Sequence, residues 1–98
     1  MQGKLYSLAE EFLLYLEAER GCSPLTITSY RSDLTQFFTH LQHVGEPDEV
    51  TALGLSQARS WVVAMHRAGL SPNSVCRRAS ALKSFCRYLH DQDYIDRN

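Results

Sequence analysis

The tetrad Gly-x-Ser-Pro occurs twice, at Gly21-Cys22-Ser23-Pro24 and at Gly69-Leu70-Ser71-Pro72, with the two copies 48 residues apart. Each copy puts a glycine where one helix should stop and a Ser-Pro pair where the next should start. Glycine tolerates the left-handed turn of a helix end, serine caps free N–H groups, and proline suits the first helical position. A chain punctuated in this way is committed to helices on both sides of each tetrad. The match continues beyond the punctuation, because Thr26 and Ser74, Ile27 and Val75, Leu34 and Leu82, Phe37 and Phe85, and Leu41 and Leu89 keep the same offset. Capping chemistry alone explains the tetrads; the shared apolar positions predict two equivalent helix-loop-helix halves that set two similar helices side by side. Two copies are too few for a solenoid, which needs about three or more.

Apolar residues at helical spacing fill in the rest, and the fold class expected is all-α, a four-helix bundle with helices near 7–20, 24–43, 56–68 and 72–90. The first should start at Ser7, where Ser7-Leu8-Ala9-Glu10 has capping-box spacing, and bury Leu8, Phe12, Tyr15 and Leu16. The second carries Ile27, Tyr30, Leu34, Phe37, Phe38 and Leu41 on one broad stripe. Gly45-Glu46-Pro47-Asp48 interrupts it, so residues 45–55 read as a loop with a short turn. The third turns Ala58, Trp61, Val62 and Met65 inward. In the fourth, Val75, Ala79, Leu82, Cys86 and Leu89 make a narrow seam. Residues 1–98 read as one domain, with 91–98 as an exit segment.

Charge matters here by distribution. The net charge of −1 argues against a polyanion partner, yet residues 71–90 hold Arg77, Arg78, Lys83 and Arg87 with no acid. Local fields rather than net charge steer polyanions to a surface. Cys22, Cys76 and Cys86 show no C-x-x-C spacing and are expected to be free, with Cys86 acting as a small hydrophobe. Neither a signal peptide nor a membrane span is legible, so a cytoplasmic location without membrane contact is expected. His40-x-x-His43 resembles part of a metal site, but no third ligand is evident and zinc needs at least three; no metal and no cofactor are expected. No phosphate loop, nucleophile elbow or diagnostic carboxylate pair points to catalysis.

On a wheel of 100° per residue, Asn73, Arg77, Ser80, Ser84 and Arg87 lie opposite the seam of the fourth helix, with Lys83 at an edge. Long cations among small hydroxyl residues suit a helix entering a major groove, where arginine pairs with guanine or phosphate and small residues allow close approach. The second helix turns Thr28, Ser29, Ser32, Thr35, Gln36 and Thr39 outward, and Arg31 lies to one side. Such groups contact phosphates and base edges. Thr26 and Ser74, the repeat partners in the first turns, join this candidate DNA-binding set. Plainer readings stand beside these: Ser23 and Ser71 are caps with or without DNA, Tyr30 fits core packing, and Arg78 can lay its stem over the core. A basic helix face equally suits an acidic protein partner, which leaves a helical protein-interaction module as the alternative.

The run Gly21-Cys22-Ser23-Pro24-Leu25-Thr26, then Tyr30-Arg31-Ser32-Asp33-Leu34 and Phe37, resembles the second helix of tyrosine-recombinase core-binding domains. Gly69 to Val75, then Arg77-Arg78-Ala79-Ser80-Ala81-Leu82-Lys83-Ser84-Phe85, resembles their fourth. Leu8, Phe12, Leu13 and Leu16 and the closing Asp93-Tyr94-Ile95 also fit. The resemblance implies a SAM-like four-helix fold that clamps double-stranded DNA together with a C-terminal catalytic domain, the second and fourth helices meeting the major groove. It carries that role onto Thr28, Ser29, Ser32, Asn73, Arg77 and Ser80, and it implies neighbouring protomers as partners through the first helix. The family's catalytic His-x-x-Arg is missing, since the residues three after His40, His43, His66 and His90 are His43, Glu46, Gly69 and Asp93. The five tyrosines therefore have no claim as nucleophiles, and the chain is expected to be a non-catalytic fragment of a longer recombinase.

Overall fold

Four helices and one 3-10 turn account for most of residues 3–95, the part of the chain that the computed structural model describes. They are α1 (Lys4–Ala18), α2 (Pro24–His43), the 3-10 turn Val50–Ala52, α3 (Leu55–Arg67) and α4 (Pro72–Asp91). Among the described residues there is no strand. The all-α four-helix bundle is therefore the observed fold.

The repeated tetrads act alike in three dimensions. Ser23 and Ser71 have nearly the same extended backbone, and each accepts a hydrogen bond from the N–H three residues on, at 3.2 Å in both cases. Gly69 takes φ 84° and closes α3, with its own N–H bonded to the His66 carbonyl and the Leu70 N–H to that of Met65. These two hydrogen bonds satisfy carbonyls the helix leaves free. Asp93, with φ 62°, ends α4 in the same pattern, although an aspartate is less at ease there than a glycine.

The start of α1 departs from expectation. The Ser7 N–H donates to the Gly3 carbonyl at 3.0 Å, which puts Ser7 inside the first turn rather than at the cap. The cap is supplied from elsewhere: the Asp48 carboxylate accepts from the N–H groups of Lys4 at 2.7 Å and Leu5 at 3.0 Å. A carboxylate at a helix N-terminus also meets the positive end of the helix dipole. The acceptor is more than forty residues away in sequence, so no local pattern reveals it. The helix also stops at Ala18 instead of Arg20, while α3 begins at Leu55 behind Gly54 and α4 runs on to include Asp91.

The core sits where α4 meets all three other helices. Phe12, Phe37, Phe85, Leu5, Leu34 and Leu89 are its fully buried large side chains. Phe12 of α1 stacks near Phe85 and Tyr88 of α4, and Phe37 of α2 lies 5.0 Å from Trp61 of α3 between ring centroids. The repeat-related pairs Leu34 and Leu82, Phe37 and Phe85, and Leu41 and Leu89 are all buried. The buried face of α4 is wider than the narrow seam predicted. Ala81, Phe85 and Tyr88 are inside, while Ala79 is only half-buried, because α1, α2 and α3 together wrap more than one side of this helix.

The expected exit segment is partly a folded one. Asp91 belongs to α4, and the Tyr94 hydroxyl donates to the Glu11 carboxylate of α1 at 3.0 and 3.1 Å. Ile95 packs against the core, and residues 96–98 of that segment lie outside the described residues.

Candidate nucleic-acid interface

Because α2 and α4 start with the same Ser-Pro chemistry and pack against each other, their N-terminal halves border a common groove. Leu25, Thr26, Ser29, Tyr30 and Asp33 form its α2 wall, with Arg77, Ser80 and Ala81 opposite on α4. Four of the residues singled out by the sequence, Thr26, Ser29, Arg77 and Ser80, are thereby brought together. Thr28 and Ser32 are exposed on α2, and Asn73 is exposed in the first turn of α4. Thus Ser32, Asn73, Arg77 and Ser80 all face outward.

Several predicted groups are already engaged. The Thr28 hydroxyl donates to the Pro24 carbonyl at 3.0 Å, Thr26 shares a hydroxyl contact with Ser23, and Ser74 accepts from the Ser71 hydroxyl. Among the described residues, the hydroxyls of Ser29, Ser32 and Ser80 have no protein partner. Arg31 turns away from α4 and grips Glu10 of α1 with two hydrogen bonds, at 2.7 and 3.1 Å. The Glu10 contact raises the Arg31 pKa further and holds the Glu10 carboxyl below its ordinary value. Lys83 and Arg87 border a second, apolar groove against Trp61 and Val62 of α3. Ser84, expected to face outward, is half-buried beside Phe12, Tyr15 and Tyr30, since α1 covers that flank of α4.

A buried carboxylate, that of Asp33, sits at the α2–α4 contact, which the helical wheels did not foresee. Asp33 is 3% exposed. The Arg77 Nη2 lies 3.2 Å from its Oδ1 and the Arg78 Nε 3.8 Å from the same oxygen. Neither contact meets hydrogen-bond geometry, so Asp33 Oδ1 and Arg78 Nε are buried without a hydrogen-bond partner. Burial pushes the Asp33 carboxyl above its ordinary value, while the two guanidinium groups pull it back. Its position was legible in one respect: Asp33 lies three residues after Tyr30 and four before Phe37, inside the apolar stripe. Arg78 sits at the flank of the core with its side chain 23% exposed, and Arg77 is outward but tethered. Leu25, 77% exposed at the groove edge, was also missed.

The two histidines go separate ways. His40 Nε2 is 2.9 Å from the Ser60 hydroxyl of α3, and burial lowers the His40 pKa, helped by the nearby His43. Among the described residues, no group of three His, Cys, Asp or Glu side chains is placed to hold a metal ion. Cys22, Cys76 and Cys86 are free, and burial pushes the Cys86 thiol up to about 11. Among the described residues, no helix is long and apolar enough to cross a membrane.

Comparison with known proteins agrees with this architecture. The profile of the phage integrase N-terminal, SAM-like domain matches residues 9–93. The chain is 42% identical over 89 residues to a tyrosine recombinase XerC of Yersinia pestis, covering 91% of this chain and 29% of the relative. A XerC of Xanthomonas campestris is 41% identical over 83 residues, covering 85% and 26%. For that of Chlorobaculum tepidum the values are 33% over 93 residues, 90% and 28%. The chain thus spans under a third of the length of these relatives. No solved structure gives a significant match.

Proposed function

The chain belongs to the phage integrase N-terminal, SAM-like domain family, and from that premise we propose that α2 and α4 together dock in the major groove of duplex DNA, as one half of a recombinase clamp. The catalytic half is a separate domain that pairs with this one, and neighbouring protomers are further partners. The residues assigned to the groove are Thr26, Ser29, Arg77 and Ser80 inside the α2–α4 cleft, with Thr28, Ser32 and Asn73 beside it. Ser74 contributes by ordering the first turn of α4. Lys83 and Arg87, further along α4, supply phosphate contacts at its edge. Arg31 and Ser84 take a smaller part, the first because Glu10 holds it and the second because α1 half covers it.

One observation carries the reading. Two adjacent helices present small hydroxyl residues and guanidinium groups outward, and α4 carries no acid before its final residue, Asp91. A solvated helix face ordinarily mixes both signs of charge. The chemical work of such a domain is placement: phosphate contacts fix register and base-edge contacts select sequence. Binding by this domain alone should be weak and salt-sensitive, because few phosphates are neutralised.

An NMR titration with duplex DNA tests the proposal. Amide shifts should concentrate in the first halves of α2 and α4. Shifts confined to α1, or none at all, would instead favour a module that binds an acidic protein.

A further inference from the structure

Resting on the groove reading just given, we propose that buried Asp33 is a positioning residue that fixes the Arg77 guanidinium so that Arg77 reads a guanine edge rather than a phosphate.

Three features lead there. Asp33 is nine-tenths or more buried, lines the α2–α4 groove, and leaves Oδ1 without a hydrogen-bond partner. A buried carboxylate oxygen that accepts no hydrogen bond is costly, since only the two guanidinium groups beside it offset its desolvation. Second, the Arg77 side chain is 53% exposed and approaches Asp33 through one terminal nitrogen, Nη2. A guanidinium has five N–H donors in a rigid fork, so the donors not turned to Asp33 remain to engage a partner in the groove. The neighbours Ser29 and Ser80 are short and admit a base edge close to the backbone.

The third feature decides between guanine and phosphate. A phosphate is an anion, and Asp33 beside Arg77 would repel it and cancel much of the attraction. The guanine O6 and N7 edge is neutral and gains from orientation, which a fixed arginine provides with less rotamer entropy lost on binding. Lys83 and Arg87 have no acidic partner among the described residues, and they are the better phosphate ligands. Arg78 Nε lies 3.8 Å from the same Asp33 oxygen, and Arg78 does not line the groove.

The test is selection of duplexes from a randomised pool by the 98-residue chain and its variants. The unaltered chain should enrich guanine at one position. Arg77→Ala should erase that preference, and Arg77→Lys, which keeps the charge but loses the fork, should erase it with little loss of overall affinity. Asp33→Asn should weaken the preference at that one position by about tenfold, the scale of one good bidentate contact. Arg78→Met leaves the Arg77–Asp33 pair intact and should retain the preference, which controls for damage to the helix contact. If Asp33→Asn melts much earlier, Asp33→Glu, which keeps the charge and shifts the carboxylate by one methylene, takes its place and should weaken the same preference; a folded Asp33 variant with the guanine preference unchanged would overturn the positioning role. Equal weakening of all sequences by Arg77→Ala, with the salt slope reduced by about 1, would make Arg77 a phosphate ligand and overturn the proposal. So would a chain that binds duplexes with no guanine preference. A chain that binds no duplex at all overturns the groove reading itself.

Discussion

Replacing Glu10 with Gln should make this domain bind DNA more strongly and more salt-sensitively, although Glu10 is on the opposite side of α2 from α4. Five cations are available along α2 and α4: Arg31, Arg77, Arg78, Lys83 and Arg87. Glu10 engages Arg31 in two hydrogen bonds, and Asp33 offsets one charge of the Arg77 and Arg78 pair. Arg77 is directed at a base edge and Arg78 lies beside Asp33 away from the groove lining, so Lys83 and Arg87 remain for phosphates. Counterion release then gives a slope of log K against log salt of about −1.8, a loss of about 12-fold between 50 and 200 mM. Gln at position 10 frees Arg31, and a third contact steepens the slope to about −2.7 and the loss to about 40-fold. The pair is exposed, at 49% and 58%, so the change should alter folding stability by no more than about 0.5 kcal/mol. Fluorescence anisotropy with one labelled duplex over a salt series gives both slopes. An unchanged slope would show that Arg31 is too far from the DNA path to matter. A slope of about −2.7 in the unaltered chain would show that Arg31 already leaves Glu10 on binding without the substitution.

Three further outcomes probe the fold. Asp48→Ala should cost about 1 kcal/mol and lower Tm by about 4–8 °C; Gly3→Ala should do much the same, because its Cβ would collide with the Asp48 carboxylate. In a thermal-melt double-mutant cycle the two should be far from additive, and simple additivity would refute the tertiary cap. Asp93→Gly should raise stability by about 0.5 kcal/mol by relieving a left-handed aspartate, and a loss in denaturant melts would refute that. For Asp33, burial raises the folded-state pKa above 3.8, so the folded chain binds a proton more readily than the unfolded chain. This group's contribution to stability therefore improves as pH falls through the folded value towards the unfolded one. Urea melts from pH 7 to pH 4 should show the unaltered chain gaining relative to Asp33→Asn; a flat or opposite trend would contradict the burial argument.

Local chemistry was enough to set the number of helices, the ends marked by Ser-Pro and glycine, and most of the core. The Ser23 and Ser71 caps each accept from an N–H three residues on, and a buried stripe needs only the helical period, so both can be seen along the chain. The offset of 48 correctly paired Phe37 with Phe85 and Leu41 with Leu89 as core residues. Outward placement of Ser32, Asn73, Arg77 and Ser80 was legible for the same reason. Contacts between elements distant in the chain lay beyond that reach and were settled by packing. Asp48 caps α1 from another loop, Glu10 claims Arg31, and Asp33 sits beneath Arg77 and Arg78. Each joins residues more than twenty positions apart, so the sequence shows the partners but their separation in space is set only when the helices pack. A charge count along the chain sees four free cations on α4; folding sets a buried carboxylate against two of them.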